Sequence, residues 1–218
     1  MNRTRQFARV VLLLVLATIG CRGGDSSPPS STSSAEPIWT PLFDGASLGD
    51  WTITPFGGSG PVEVRDGAIE LGQGSPMTGV TYRGELPRDD YELEMDAARV
   101  LGTDFFCALT FPVGDSHLTL VLGGWGGGLC GLSCLDGLDA SSNETKCFRR
   151  FERGRSYGVR LRVAGGRVQA WLDGESLIDV EVRGRALSLR PEVEPGKPLG
   201  IATYATIGRI SAFRLRRA

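Results

Sequence analysis

The chain holds one histidine, His117, and that bounds the chemistry open to it. Zinc sites with several histidine ligands, and mechanisms that use two imidazoles, are excluded. His117 lies in "GDSHLTLVLGGWGGGLC" (114–130), two residues after Asp115 and eight before Trp125. An imidazole with an ordinary pKa near 6.5 can act as a general acid or base, or as a sugar ligand, at a sheet edge. The same position equally suits a half-exposed residue at a strand start, after the turn-like "PVGDS". Trp125 stands among five glycines in "GGWGGG". Glycines let a backbone approach a ligand closely, so the indole is a platform for stacking on a sugar ring, or else a plug folded into the rim. A phosphate loop is ruled out, because the lysine-serine/threonine ending is missing. No "GxSxG" elbow is present to nucleate a serine-histidine-aspartate triad.

A second cluster of chemistry-bearing residues lies in "LDGLDASSNETKC" (135–147), which contains Asp136, Asp139, Asn143 and Glu144. Oxygen ligands at this density can hold calcium or another divalent ion, although the spacing departs from the helix-loop-helix motif. A plain polar loop is the alternative, and no cofactor is implied. Glycosidase chemistry needs two carboxylates about 5–10 Å apart across a cleft, and spacing in sequence selects no such pair. Cys107, Cys130, Cys134 and Cys147 allow three disulfide pairings in an oxidising compartment. The expected bridges are Cys134–Cys147, closing the polar loop, and Cys107–Cys130, joining neighbouring strands. A cysteine zinc site is the rival reading, and the absence of C-x-x-C argues against redox catalysis.

The elements that must position these residues are strands. In Tyr157–Val163, Val159, Leu161 and Val163 share one face while Arg160 and Arg162 share the other. That period of two marks a half-buried strand. The Gly165-Gly166 and Asp173-Gly174 turns then extend it into a three-stranded meander, and "RDG" at 65–67 makes another hairpin. No segment keeps a 3.6-residue apolar period, and 31 glycines discourage long helices. The predicted architecture is all-β: a two-sheet antiparallel sandwich of the concanavalin A-like jelly-roll kind. The last strand, "AFRLRRA", is expected to close beside the first. "RPEVEPGKPLG" (190–200), with three prolines, is expected to be a stiff surface crossing.

The N-terminus reads differently. Arg3, Arg5 and Arg9 precede "VVLLLVLA", then "TIGC". A basic region, a short apolar run and small residues form a secretory signal. Gly20-Cys21 resembles a lipobox, with Cys21 as the lipidated residue, although Thr18 stands where leucine is usual. Residues 1–20 are therefore expected to be a lipoprotein-type signal peptide, 21–36 a flexible tether, and 37–218 one domain. The expected location is the periplasm or outer cell envelope, with a lipid at Cys21 as the membrane attachment. Loss of the signal leaves 21 basic against 25 acidic residues, a net charge near −4, which argues against nucleic acid as a partner.

"LFDGASLGDW" (42–51), followed by "VEVRDGAIEL" and "DDYELEMDAARV", resembles the opening of the 3-keto-disaccharide hydrolase domain family. Leu42, Phe43, Asp44, Gly45, Ser47, Leu48 and Trp51 carry the match, and "GVRLRVAGGRVQAWLDGESLIDV" adds a hairpin common to this family and laminin G-like domains. The resemblance covers most of 38–218. It implies a concanavalin A-like sandwich, of a kind common among secreted or lipid-anchored proteins of planctomycete-type bacteria, and action on 3-keto-glycosides by hydrolysis or elimination. Members often read "GNSGIFLR" and "YEVQILD" where this chain has "DFFCALTFPV" and "HLTLVLGGW". No catalytic residue is therefore carried over. The functional expectation is a module that binds carbohydrate or a cell-envelope polysaccharide. A 3-keto-glycoside hydrolase or lyase is the alternative, and a structural envelope lipoprotein the second. The expected site is lined by Asp115, His117 and Trp125, with Asp136, Asp139, Asn143 and Glu144 contributed by the adjacent loop.

Overall fold

A computed structural model describes residues 38–218. The expected signal peptide, Cys21 and the expected tether lie outside the described residues. Two antiparallel sheets pack face to face. The first contains β1 (Thr40–Pro41), β3 (Val62–Arg65), β4 (Ala68–Leu71), β6 (Tyr91–Leu101), β11 (Ser156–Ala164), β12 (Arg167–Leu172), β13 (Glu175–Glu181) and β15 (Ile207–Arg217). Its order is β13-β12-β11-β6-β15-β4-β3, with β1 paired to β15. The second contains β2 (Trp51–Ile53), β5 (Met77–Tyr82), β7 (Cys107–Val113), β8 (Ser116–Gly124), β9 (Leu129–Ser133), β10 (Cys147–Phe148) and β14 (Leu199–Tyr204). Its order is β10-β9-β8-β7-β14-β5-β2. The last strand does close beside the first, with Thr40 opposite Leu215. Among the described residues no helix is long and apolar enough to cross a membrane.

The core is where the alternating residues meet. Leu118, Leu120 and Leu122 of β8 and Val159, Leu161 and Val163 of β11 all point into it and are buried. Each such aliphatic side chain contributes about 1.5–3 kcal/mol when removed from water. Trp51, from the family opening, lies between Tyr82 and Phe213, and its indole N–H donates to Leu42 O at 2.8 Å. Phe151 packs edge-on against Phe106 and Tyr157. The meander forms as its turns dictate: Gly165 and Gly166, then Asp173 and Gly174, have the positive φ that tight hairpins need.

The solvent face of the first sheet is ionic. Glu92, almost wholly buried, accepts from Arg160 and Arg216, and Arg162 stands near. Arg214 pairs with Glu94. The matching face of the second sheet is instead apolar and hydroxylated, and part of it is roofed.

Candidate functional site

On the outer face of the second sheet, inward-pointing core residues alternate with Ala108, Thr110, Thr119, Val121, Ala202 and Tyr204. The proline-rich crossing lies over this face as a short 3-10 helix, Pro191–Gly196. Leu189 and Val193 anchor it on Met77, Ala108 and Ala202. Gly200 of β14 makes the close approach possible, since a Cβ there would meet Gly196 O at 2.4 Å. The roof covers only part of the sheet. Beside it opens a cavity of about 570 Å³.

Four aromatic side chains line this cavity: Phe56, Phe105, Trp125 and Tyr204. Phe105 and Tyr204 lean together with centroids 5.6 Å apart, while Trp125 and Tyr204 are 46% and 40% exposed. Trp125 occupies the β8–β9 hairpin turn, closed by Gly127 N–H donating to Gly124 O at 3.1 Å. Its φ is +47° and that of Gly126 is +88°. Both central residues are thus left-handed, a turn that favours asparagine or glycine. A tryptophan there is strained. The indole lines the cavity with nearly half of its surface exposed.

Arg99 supports the turn from beneath. It is buried, its guanidinium lies over the Phe106 and Phe151 rings at 5.3 and 5.7 Å, and Nη2 donates to Gly127 O at 2.5 Å. A side chain at Gly127 would press on Arg99 Nη1 at 2.9 Å. Burial lowers the Arg99 pKa. At the opposite rim, Arg190 donates to Glu192 at 3.0 Å and to Asp139 at 3.3 Å. The Arg190 guanidinium holds the Glu192 carboxyl below its ordinary range. Glu192 is therefore ionised at neutral pH and cannot serve as a resting general acid. The hydroxyls of Thr119 and Ser133 and the carboxylate of Asp104 complete the polar lining.

A larger hollow, about 800 Å³, lies on the first sheet beside Glu94, Asp96, Arg160, Trp171, Asp173 and Arg214. There Arg160 covers the Trp171 ring at 4.9 Å. The hollow's other two aromatic residues, Phe43 and Phe213, are buried in the core, so no ring there is free for a ligand. The cavity beside Trp125 is the better site.

Of the residues expected from the sequence, Trp125 alone lines this cavity. Asp115 is fully exposed and pairs with Arg88 at 2.8 Å. His117 faces the far side of the roof, where its charged neighbours are Lys197, Glu194 and Arg88. Asp136 and Glu144 both bind Arg185, and the guanidinium lowers both carboxyls. Asp139 bonds Ser141 and reaches the cavity only through Arg190. Asn143 is buried within its own loop. Among the described residues, no group of three or more His, Cys, Asp or Glu converges as a metal site.

The expected disulfide pairings are corrected. Cys107 and Cys130 both sit opposite Leu122, so β8 lies between them. Two strand spacings, about 9.6 Å, exceed the reach of a disulfide. Cys147 faces Cys130 across the β9–β10 ladder, not Cys134. All four thiols are free. Phe148, next to Cys147, is 64% exposed, whereas Phe151 is buried.

Burial first, then the nearby Lys197 ammonium, depress the His117 pKa. A depressed histidine binds fewer protons folded than unfolded, so stability falls as pH drops below about 6.5. Replacing His117 with glutamine should flatten that decline, seen as urea midpoints at about pH 7.5 and about pH 5.5 that differ less than in the parent. An unchanged difference would assign the decline to other groups.

Phe56, Phe105, Arg190, Glu192 and Tyr204 carried no sequence signal as site residues. They come from segments as distant as the loop after β2 and the end of β14, and only the fold brings them together.

The two sheets and their strand order define a jelly-roll sandwich of galectin-like type. A galectin-like-fold protein of unknown function from Bacillus subtilis superposes with a TM-score of 0.56 at 12% identity, covering 83% of this chain and 94% of its own. The VIP36 exoplasmic/lumenal domain, in its Ca²⁺/mannose-bound form, gives 0.57 at 14%, covering 82% and 88%. Crh5 transglycosylase in complex with NAG gives 0.56 at 10%, covering 84% of each chain. The chain belongs to the 3-keto-alpha-glucoside-1,2-lyase-like domain family, which matches residues 38–205. No curated protein matches the sequence.

Proposed function

We propose that this domain binds carbohydrate in the cavity beside Trp125, as an exported protein lipid-anchored through Cys21 at the cell envelope. The observation that carries the reading is the set of four aromatic side chains around a space of about 570 Å³. That size accommodates one or two sugar rings, and aromatic faces suit their apolar C–H surfaces. The Arg190–Glu192 pair offers donors and acceptors with little net charge, which suits the vicinal hydroxyls of a neutral sugar. The solved structures cited above include mannose-bound and NAG-bound proteins, which agrees with this choice of ligand class.

The family match favours a second reading, elimination or hydrolysis of 3-keto-glucosides at the same cavity. Glu192, kept ionised by Arg190, is then the candidate base. One preparation distinguishes the two. The protein extracted from membranes is applied to a glycan array and then incubated with 3-keto-glucosides. Binding without turnover supports the module. Turnover that Glu192→Gln abolishes supports the enzyme, and neither result leaves a structural lipoprotein. The anchor is checked by a Cys21→Ser variant, which should move to the soluble fraction.

A further inference from the structure

Cys130 and Cys147 stand directly opposite one another on antiparallel β9 and β10. Opposed residues in such a ladder have Cα atoms about 4.5–5.5 Å apart, inside the window a disulfide requires. Each thiol is held only loosely where it stands, Cys130 Sγ donating to Gly128 O and Cys147 Sγ to Leu177 O, both at 3.9 Å. The two differ in surroundings: Cys130 is fully buried, while Cys147 is partly open at the edge of the sheet. β10 is only two residues long. Between the two cysteines runs the polar loop whose Asp139 holds Arg190.

We propose that Cys130 and Cys147 form an oxidation site that reacts with a disulfide donor to become a cross-strand cystine. The Cys147 thiolate attacks one sulfur of the donor disulfide and displaces the first donor thiolate. Cys130 then loses its proton and attacks the Cys147 sulfur of the mixed disulfide, expelling the second donor thiolate. Both cysteines are oxidised, the donor is reduced to two thiols, and the departing thiolates take up the two protons. The roles follow from access, because the attacking sulfur must meet the donor and the resolving one need not. The adjacent Cys130 thiol first, against the cost of partial burial and with the help of Arg149, brings the Cys147 pKa down to about 7, so thiolate is available at neutral pH. The cross-link would pin both ends of the loop without moving β9 or β10.

The test uses the full chain, equilibrated in buffers of increasing oxidised-to-reduced glutathione ratio, alkylated, and analysed by intact mass and peptide mapping. The expected result is a cooperative loss of two hydrogens and a single cross-linked peptide joining Cys130 to Cys147. The same cross-link should form in a Cys107→Ala, Cys134→Ala double variant, where no other internal partner remains in the domain. A cross-link through Cys107 or Cys134 in the parent would overturn the proposal. So would full alkylation of Cys130 and Cys147 in unfolded samples taken from the most oxidising buffer, or a glutathione adduct on Cys147 that never resolves.

Discussion

Replacing Trp125 with glycine should abolish most carbohydrate affinity and leave the domain folded. The two effects separate because of where the residue sits. A left-handed backbone costs a non-glycine residue about 1–2 kcal/mol, which glycine avoids. Glycine gives back about 0.5–1 kcal/mol in unfolded-state entropy. The indole is 46% exposed, so its lost packing is modest. Net stability should therefore stay within about 1 kcal/mol of the parent. On the ligand side, a sugar face covering about 100 Å² of indole is worth about 2.5 kcal/mol. That corresponds to a Kd about 60-fold weaker. Titration calorimetry with a glycan selected from the array, set beside urea unfolding of the same variant, reads both quantities. A Kd unchanged by Trp125→Gly would remove the indole from the site, and with it the main support for the binding reading.

Asn143→Ala should produce the largest loss of stability among the residues that the sequence marks as ligand candidates. The side chain is 7% exposed. Its amide nitrogen donates to Leu132 O at 2.7 Å and Asp139 O at 2.9 Å, and its oxygen accepts from Thr145 N–H at 2.9 Å and Thr145 Oγ1 at 2.6 Å. Each buried group left without a partner costs about 1–3 kcal/mol, and such losses are not additive. A total near 3 kcal/mol is expected, or a fall in Tm of roughly 6–12 °C for a domain of this size. Asn143→Asp should be nearly as damaging, because a carboxylate accepts but cannot donate. Scanning calorimetry decides the matter. A Tm within about 1 °C of the parent would mean the loop is already frayed and Asn143 organises nothing.

These two residues show how differently the same kind of sequence signal resolves. Asn143 and its neighbours look like ligands because polar side chains crowd a short loop. In the fold Asp136 and Glu144 answer Arg185, Asp139 answers Arg190, and Asn143 answers the backbone. Arg185 and Arg190 come from a segment more than forty residues later, and nothing within the loop announces them. Trp125 was legible because its context is local: five glycines and a β-hairpin place it.

Local patterns by themselves determined the all-β class, the meander from Ser156 to Glu181, the Asp-Gly and Gly-Gly turns, and the family through "LFDGASLGDW". A period of two and left-handed turn residues act over a few positions, so the sequence displays them directly. The tertiary structure alone decided which residues share a site and which cysteines face each other. His117 and Trp125 lie on one strand and its turn, about 25 Å apart along an extended chain, and the proline-rich crossing closes the space near His117 while leaving Trp125 open. Strand order placed β8 between Cys107 and Cys130 and brought Cys147 against Cys130. Non-local pairing is set by the burial of whole faces, and that information is spread over the chain rather than held in any motif.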